Sequence, residues 1–418
     1  MAFSGRDIGD RDEVNRARRR LLQTIGAMGG ASLFGGAVGR AFAADSVTLP
    51  FANGKRAIVT YPQKRPLILL TSRPVQLETP MSLFNDSVIT ANDAFFVRWH
   101  LADVPPSIDG DQFTVKVHGR VKTPLTLKVA DLMKNFEPVE YTAVCQCSGN
   151  SRGFFDPRVP GGQWGNGAMG NAVWKGARLK DILDKAGLES DAKQVRFNGA
   201  EQGVVPETPD FIKALDVDLA RMPDVIVAYS MNGRPMPLLN GFPVRLIVPG
   251  YFATYWVKML ADIEVISRTD DNFWMATAYR IPADPCGCME PGQTGVKTVP
   301  INRMTVRSFI TSVADGAKVA GDKALVVKGI AFDGGYGIKR VLFSANGGVT
   351  WHESKLEKDH GRYSFRQWQA RFTPKKGSKY ALQSMAVNGI GESQRLTPVW
   401  NPGGYLRNII ETVHVNAA

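Results

Sequence analysis

Cys145-Gln-Cys147-Ser-Gly-Asn-Ser151-Arg152-Gly-Phe-Phe155 is the most informative stretch of this 418-residue chain. Ser, Gly and Asn directly after Cys147 place that cysteine on a turn, where its sulfur can point into a cavity. Arg152, five residues on, can bring a permanent positive charge beside it. A nearby cation favours the thiolate, the form that ligates metals and acts as a nucleophile. An isolated cysteine is ordinarily a small buried apolar residue, but three other stretches make that reading a poor one here.

Phe95-Phe96-Val97-Arg98-Trp99-His100 alternates, so Arg98 and His100 share one side of a strand. Asn240-Gly-Phe-Pro-Val-Arg245-Leu-Ile-Val-Pro-Gly250, followed by Trp256-Val257-Lys258, offers basic groups at strand ends. Such groups suit a phosphate or another anion. Asp271-Asn-Phe-Trp274-Met-Ala-Thr-Ala-Tyr279-Arg280 carries a Trp and a Tyr able to wall a pocket.

Around these stretches the pattern mixes strands and short helices without a regular βαβ repeat, which places the chain in the α+β class. Residues 45–98 are rich in proline (Pro50, Pro62, Pro66, Pro74, Pro80) and read as an extended wrapping segment with few regular elements. Residues 113–119 alternate as a strand, residues 126–133 read as a short helix, and residues 178–186 read as a helix ending at Gly187. Residues 243–249 read as a buried strand. Prolines and glycines cluster near Cys286–Val299 as a boundary loop. Beyond it come strand patterns at 308–313, 324–332, 338–344, 351–356, 363–372 and 379–388, separated by turns such as Asn346-Gly347-Gly348. They predict an immunoglobulin-like β-sandwich.

The composition, 44% hydrophobic and 22% charged, is that of globular protein and excludes collagen, low-complexity disorder and a polytopic membrane protein. No cysteine stands in a CxxCH, so no c-type haem is expected on this chain. Arg18-Arg19-Arg20-Leu21-Leu22, a weakly apolar glycine-rich run and Ala41-Phe42-Ala43 resemble a twin-arginine (Tat) export signal removed after Ala43. The expected domains are therefore 1–43 signal, 44–295 cofactor-binding α+β domain, and 296–418 sandwich. Removing the signal lowers the formal net charge from +12 by the excess of seven Arg over four acids in residues 1–43, leaving a basic periplasmic protein with no membrane span. A basic surface there would attract acidic proteins, anionic lipid or a small anion. No nucleic-acid motif is present.

Taken together, the FFxR-x-H, C-x-G-N-x-R and NG…P-x-R…VK blocks resemble the sulfite oxidase family of molybdenum enzymes, in that family's order along the whole mature chain. The absence of a haem sequence and the export signal make the resemblance strongest to its bacterial sulfite dehydrogenases. The resemblance implies a molybdenum–molybdopterin cofactor with Cys147 as the metal's thiolate ligand. It implies Arg98, Arg152 and Tyr279 in the substrate pocket with His100 and Trp274 close by, and Arg366 reaching in from the sandwich. The backbone around Phe96 and Val97, with Arg98, His100, Glu201, Asn240, Arg245, Trp256, Val257 and Lys258, would hold the pterin and its phosphate, with Asn240 standing where animal sulfite oxidases have His. The implied reaction is oxidation of sulfite to sulfate. Electrons would leave one at a time to a c-type cytochrome, either a partner subunit or a soluble one, and a heterodimer or homodimer fits.

The same arginines would also suit a sulfane dehydrogenase acting on protein-bound sulfur. A non-catalytic anion-binding periplasmic protein would need no thiolate framed by arginines. Cys145 reads as a structural thiol. Cys286-Gly-Cys288 reads as part of a boundary loop and a poor candidate for a structural disulfide. His118, His352, His360 and His414 show no ligand spacing and read as surface groups.

Overall fold

The prolines that suggest an irregular segment at 45–98 fall between strands instead of interrupting them. The computed structural model of the chain describes residues 45–418; the expected export signal lies outside the described residues. Ser46–Thr48, Lys55–Val59, Leu67–Ser72, Val75–Glu78 and Val97–Arg98 form one antiparallel sheet. Pro50, Pro62 and Pro74 sit in its connections, where a missing N–H removes no ladder hydrogen bond. The expectation of few regular elements there is corrected accordingly.

Two further sheets complete the first part of the chain. One runs Ile212–Asp216, Gln194–Gly199, Leu260–Ile266, Thr114–Gly119, Leu125–Lys128, and its only parallel pair joins Leu260–Ile266 to Thr114–Gly119. The other runs Arg245–Ile247, Ile226–Met231, Met169–Arg178, Pro138–Gln146. The helix expected at 126–133 begins later, at Val129–Asn135, because Leu125–Lys128 pairs with Thr114–Gly119 as a strand. The helix Leu179–Ala186 ends at Gly187 as read, with Gly187 at φ +71°. That left-handed residue is inexpensive only for glycine.

Beyond the short pair Arg280–Pro282 and Thr298–Pro300 come the two sheets of an immunoglobulin-like sandwich. Arg307–Ile310, Leu325–Phe332, Arg366–Phe372 and Lys355–Leu356 form one; Ala317–Val319, Thr412–Ala417, Lys379–Asn388, Ile338–Ser344 and His352–Glu353 form the other. The single strand expected at 351–356 is two, one in each sheet, with buried Ser354 between them. Ala317–Val319 and Thr412–Ala417 carry no sequence expectation, and they pair with each other in parallel.

The sandwich has its own core around Val327, Val341, Phe343, Trp368 and Leu382. Its Phe309, Phe332, Tyr363 and Phe365 belong instead to the large core that holds Phe95, Trp174 and Trp256, so the two halves share buried apolar surface. Arg307 of the sandwich, fully buried, donates from Nη2 to Ser151 Oγ at 3.1 Å and lies 3.3 Å from Glu411 Oε1. No helix among the described residues is long and apolar enough to cross a membrane.

Candidate active site

Strand Pro138–Gln146 ends one residue before Cys147, and the turn that follows is tied down on both sides. Asn150 N–H donates to Cys147 O, Ser151 N–H to Gly165 O, and Cys147 N–H to Ala168 O. Asn150 Oδ1 accepts from Ala168 N–H at 3.0 Å. Ser151 has φ +70°, and Cys147, on the same turn, lines a cavity.

Alternation along 96–100 supplies the facing wall. Phe96, Arg98 and His100 line the cavity, while Val97 and Trp99 turn into a small apolar cluster with Leu67, Leu77 and Met259. Asn240, Arg245 and Lys258 come from the third wall, and Tyr279 closes the fourth.

His100 and Tyr279 act as a pair: His100 Nε2 lies 2.7 Å from the Tyr279 hydroxyl. Glu201 Oε2 accepts the backbone N–H groups of His100 and Leu101 at 2.8 and 2.9 Å. Its Oε1 stands 3.6 Å from His100 Nδ1 and 3.8 Å from Lys258 Nζ. That carboxylate favours the tautomer with the proton on Nδ1, so Nε2 accepts from the phenol. Burial, with the charges of Arg98, Lys258 and Lys213 behind it, holds His100 well below its ordinary range, and the imidazole is neutral. Burial pushes the Tyr279 phenol up, which keeps its proton in place. Phe211 stacks on His100 at 3.4 Å between ring centres.

Arg245 is held in place by three partners within the protein. It donates to Trp256 O, Asn240 O and Cys145 Sγ. Cys145 is therefore a structural partner of Arg245, as the sequence suggests, and burial pushes its thiol up. Asn240 Nδ2 donates to Phe96 O at 3.0 Å, and its Oδ1 accepts from the Lys64 ammonium. Burial lowers Lys64 to about 7.

Eight of the expected residues line the cavity: Phe96, Arg98, His100, Cys147, Asn240, Arg245, Lys258 and Tyr279. Arg152 lies beside the Cys147 turn, its guanidinium over Gly149, with Nε donating to Gly403 O at 3.0 Å. Glu201 braces His100 from behind, and Trp274 packs edge-on to His100 at 5.5 Å. The side chains of Val97, Trp256 and Val257 are buried, while strand alternation turns Arg98 to the cavity and Lys258 lines it as well. Ala253 and Thr254 also line the cavity.

Arg366 is also corrected. It pairs in register with Ala331, its Nη1 lies 3.0 Å from Asp359 Oδ2, and it is not among the residues that line the cavity. The sandwich sends Tyr405 to the site instead, stacked on Tyr279 at 5.6 Å. The pair Gly403-Gly404 before that aromatic was the available sequence signal for a closely apposed strap; Lys64, beside Arg65 in a proline-flanked connection, carried none. Cys286 and Cys288 form a disulfide across a Cα separation of 5.1 Å, made possible by Gly287 at φ +59° and contrary to expectation. His118 pairs with Asp262 and His414 with Asp315.

A family model described as the oxidoreductase molybdopterin binding domain matches residues 101–274, and the Mo-co oxidoreductase dimerisation domain matches residues 298–417. The chain is 33% identical to the mitochondrial sulfite oxidase of Rattus norvegicus over 373 residues, 85% of this chain and 66% of that protein. It thus spans just under two thirds of the rat protein. It is 31% identical to the sulfite oxidase of Gallus gallus over 363 residues, 82% of this chain and 77% of that one. Among solved structures it resembles the sulfane dehydrogenase SoxCD of Paracoccus pantotrophus, with a TM-score of 0.72, 94% and 96% of the two chains covered and 23% identity, a likeness of fold.

The residues fit a molybdopterin. Arg98 Nη1 and Ser148 Oγ, both on lining residues, are buried without a hydrogen-bond partner among the described residues. A buried donor left in that state calls for a ligand. Arg98, Arg245 and Lys258 offer cations to an anionic group, and Cys147 is the one cysteine on the lining. A chain that shares this much sequence with the chicken enzyme along most of its length belongs to the sulfite oxidase family, whose cofactor is molybdenum–molybdopterin.

Proposed function

We propose that the protein oxidises sulfite to sulfate and passes the electrons singly to a c-type cytochrome, in the periplasm after folded export. The observation that carries this reading is the gathering of Arg98, Arg152 and Tyr279 about Cys147, with one guanidinium nitrogen of Arg98 unsatisfied among the described residues. When bound, the cofactor supplies the two-electron redox couple and the oxygen transfer, with Cys147 as its protein thiolate and Arg245, Lys258 and Asn240 along the pterin.

The remaining chemistry belongs to the chain. Sulfite and sulfate are small oxyanions, and planar, permanently charged guanidinium groups match their oxygens. The Tyr279 hydroxyl rests on His100 Nε2 and can turn its proton toward an arriving oxyanion. Neutral His100 accepts that hydrogen bond between visits and adds no charge of its own. Lys213, buried, lies 5.1 Å from the Tyr279 ring centre and donates to Trp274 O at 2.6 Å. It holds the Trp274–Tyr279 turn in place.

The test is sulfite-dependent reduction of cytochrome c by purified, metal-loaded protein. Reduction is expected; absence of sulfite turnover with any acceptor, together with turnover of a protein-bound sulfane, would replace this reading with the sulfane one.

A further inference from the structure

The segment 400–406 crosses from the sandwich to the site as a strap, and its conformation is tightly specified. Asn401, fully buried, donates from Nδ2 to Tyr405 O and to Gly287 O, and accepts the Tyr405 N–H. Met289 N–H donates to Trp400 O, so the Cys286–Cys288 loop braces the strap from outside. Gly404, at φ +60°, lies so close to Arg152 that a β-carbon there would stand 2.8 Å from Arg152 Cγ. A β-carbon on Gly403 would enter the Tyr405 ring. The two glycines thus thin the strap where a guanidinium and an aromatic ring must rest on it.

Tyr405 is buried and touches both groups that flank Cys147. Its ring stacks on Tyr279 at 5.6 Å with planes 14° apart. The Arg152 guanidinium carbon lies 5.2 Å from the Tyr405 ring centre. Tyr279 itself holds φ +56°, a conformation an L-residue keeps only when its surroundings impose it. Arg152, for its part, is fixed by Gly403 O at one nitrogen and by this ring at its face.

The geometry points to Tyr405 as the positioning residue through which the sandwich sets Arg152 and Tyr279 for the oxyanion. The inference rests on the reading of those two side chains as substrate-binding groups. Tyr405 acts through them: its ring keeps the guanidinium in one plane and the phenol in one orientation, so both meet the anion without reorganising.

The experiment compares Tyr405→Phe and Tyr405→Leu in protein carrying its cofactor, with molybdenum content measured for each. Steady-state sulfite oxidation is followed with ferricyanide, and sulfate binding by calorimetry. Phe keeps the ring, so KM for sulfite is expected to stay within about threefold of the parent. Leu removes the stacking and cation–π contacts, and KM and the sulfate dissociation constant are expected to rise about ten- to thirtyfold, with kcat changed far less and molybdenum content unchanged. A Leu variant with parental KM and sulfate affinity overturns the inference while leaving sulfite oxidation standing. Loss of molybdenum in the Leu variant, or a Phe variant as impaired as Leu, overturns it also. Parent protein that binds sulfate but does not oxidise sulfite overturns the functional reading alone, and the calorimetry then decides for Tyr405. Parent protein that does neither overturns both.

Discussion

Replacing Glu411 by Gln should weaken the fold more than replacing its partner Arg307 by Met. Arg307 is fully buried, and its Nη2 lies 3.3 Å from Glu411 Oε1. At an effective dielectric of about 20, unit charges that far apart attract by about 5 kcal/mol, and desolvation of the guanidinium offsets much of it. Gln removes the attraction and leaves the buried cation, which should destabilise by about 3 kcal/mol. Met removes the cation together with its desolvation penalty. Arg307 Nε already lacks a partner among the described residues, Ser151 keeps its bond to Asn166, and Glu411 keeps Arg407 at 3.3 Å. A loss of about 1 kcal/mol is expected for the Met variant. Urea unfolding followed by circular dichroism and tryptophan fluorescence reads both as midpoint shifts at constant slope. A Met variant less stable than the Gln variant, or two variants within about 0.5 kcal/mol of the parent, refutes the reasoning.

Cys147→Ser should abolish sulfite turnover while the chain still folds, read by activity alongside circular dichroism; normal activity would remove Cys147 from its role. Arg366→Ala should leave KM for sulfite unchanged and alter stability by no more than about 1 kcal/mol, because its partner Asp359 is exposed; a raised KM would return Arg366 to the site. Glu78, buried and accepting the N–H groups of Gly165 and Gly167, is pushed up to about 7 by burial. The folded chain then holds this proton more tightly than the unfolded one, so stability is highest below the ordinary carboxylate range and falls as pH rises toward 7, by about 3 kcal/mol. Glu78→Gln should remove that slope from the pH profile of urea midpoints, and an equally steep profile in the variant would contradict the assignment.

What was legible in the sequence was local. The helix closing at Gly187, the alternating strand before Gly119 and the sandwich strands at 338–344 and 379–388 depend on periodicity and on their own turn residues. Cys147, Arg98 and His100 were readable because a turn and a strand alternation fix their directions within a few residues. The sheet at 45–98 was hidden because its strands are short and its prolines stand in the connections. The place of Arg366 depends on which strand of the sandwich faces the cavity, a long-range pairing that no local pattern encodes. Tyr405 reaches the site only through Asn401 and a disulfide loop more than a hundred residues away in sequence. The Cys286–Cys288 bond itself needed a left-handed glycine between the sulfurs.

Residues 96–100 serve two masters at once, with Phe96, Arg98 and His100 on the cavity and Val97 and Trp99 in an apolar cluster. Deleting or inserting a single residue there would exchange the two sets, driving a guanidinium and an imidazole into hydrocarbon and presenting bare valine and indole to an oxyanion. Catalysis and solidity therefore cannot drift apart along this stretch: size may vary at Val97 or Trp99, but length may not.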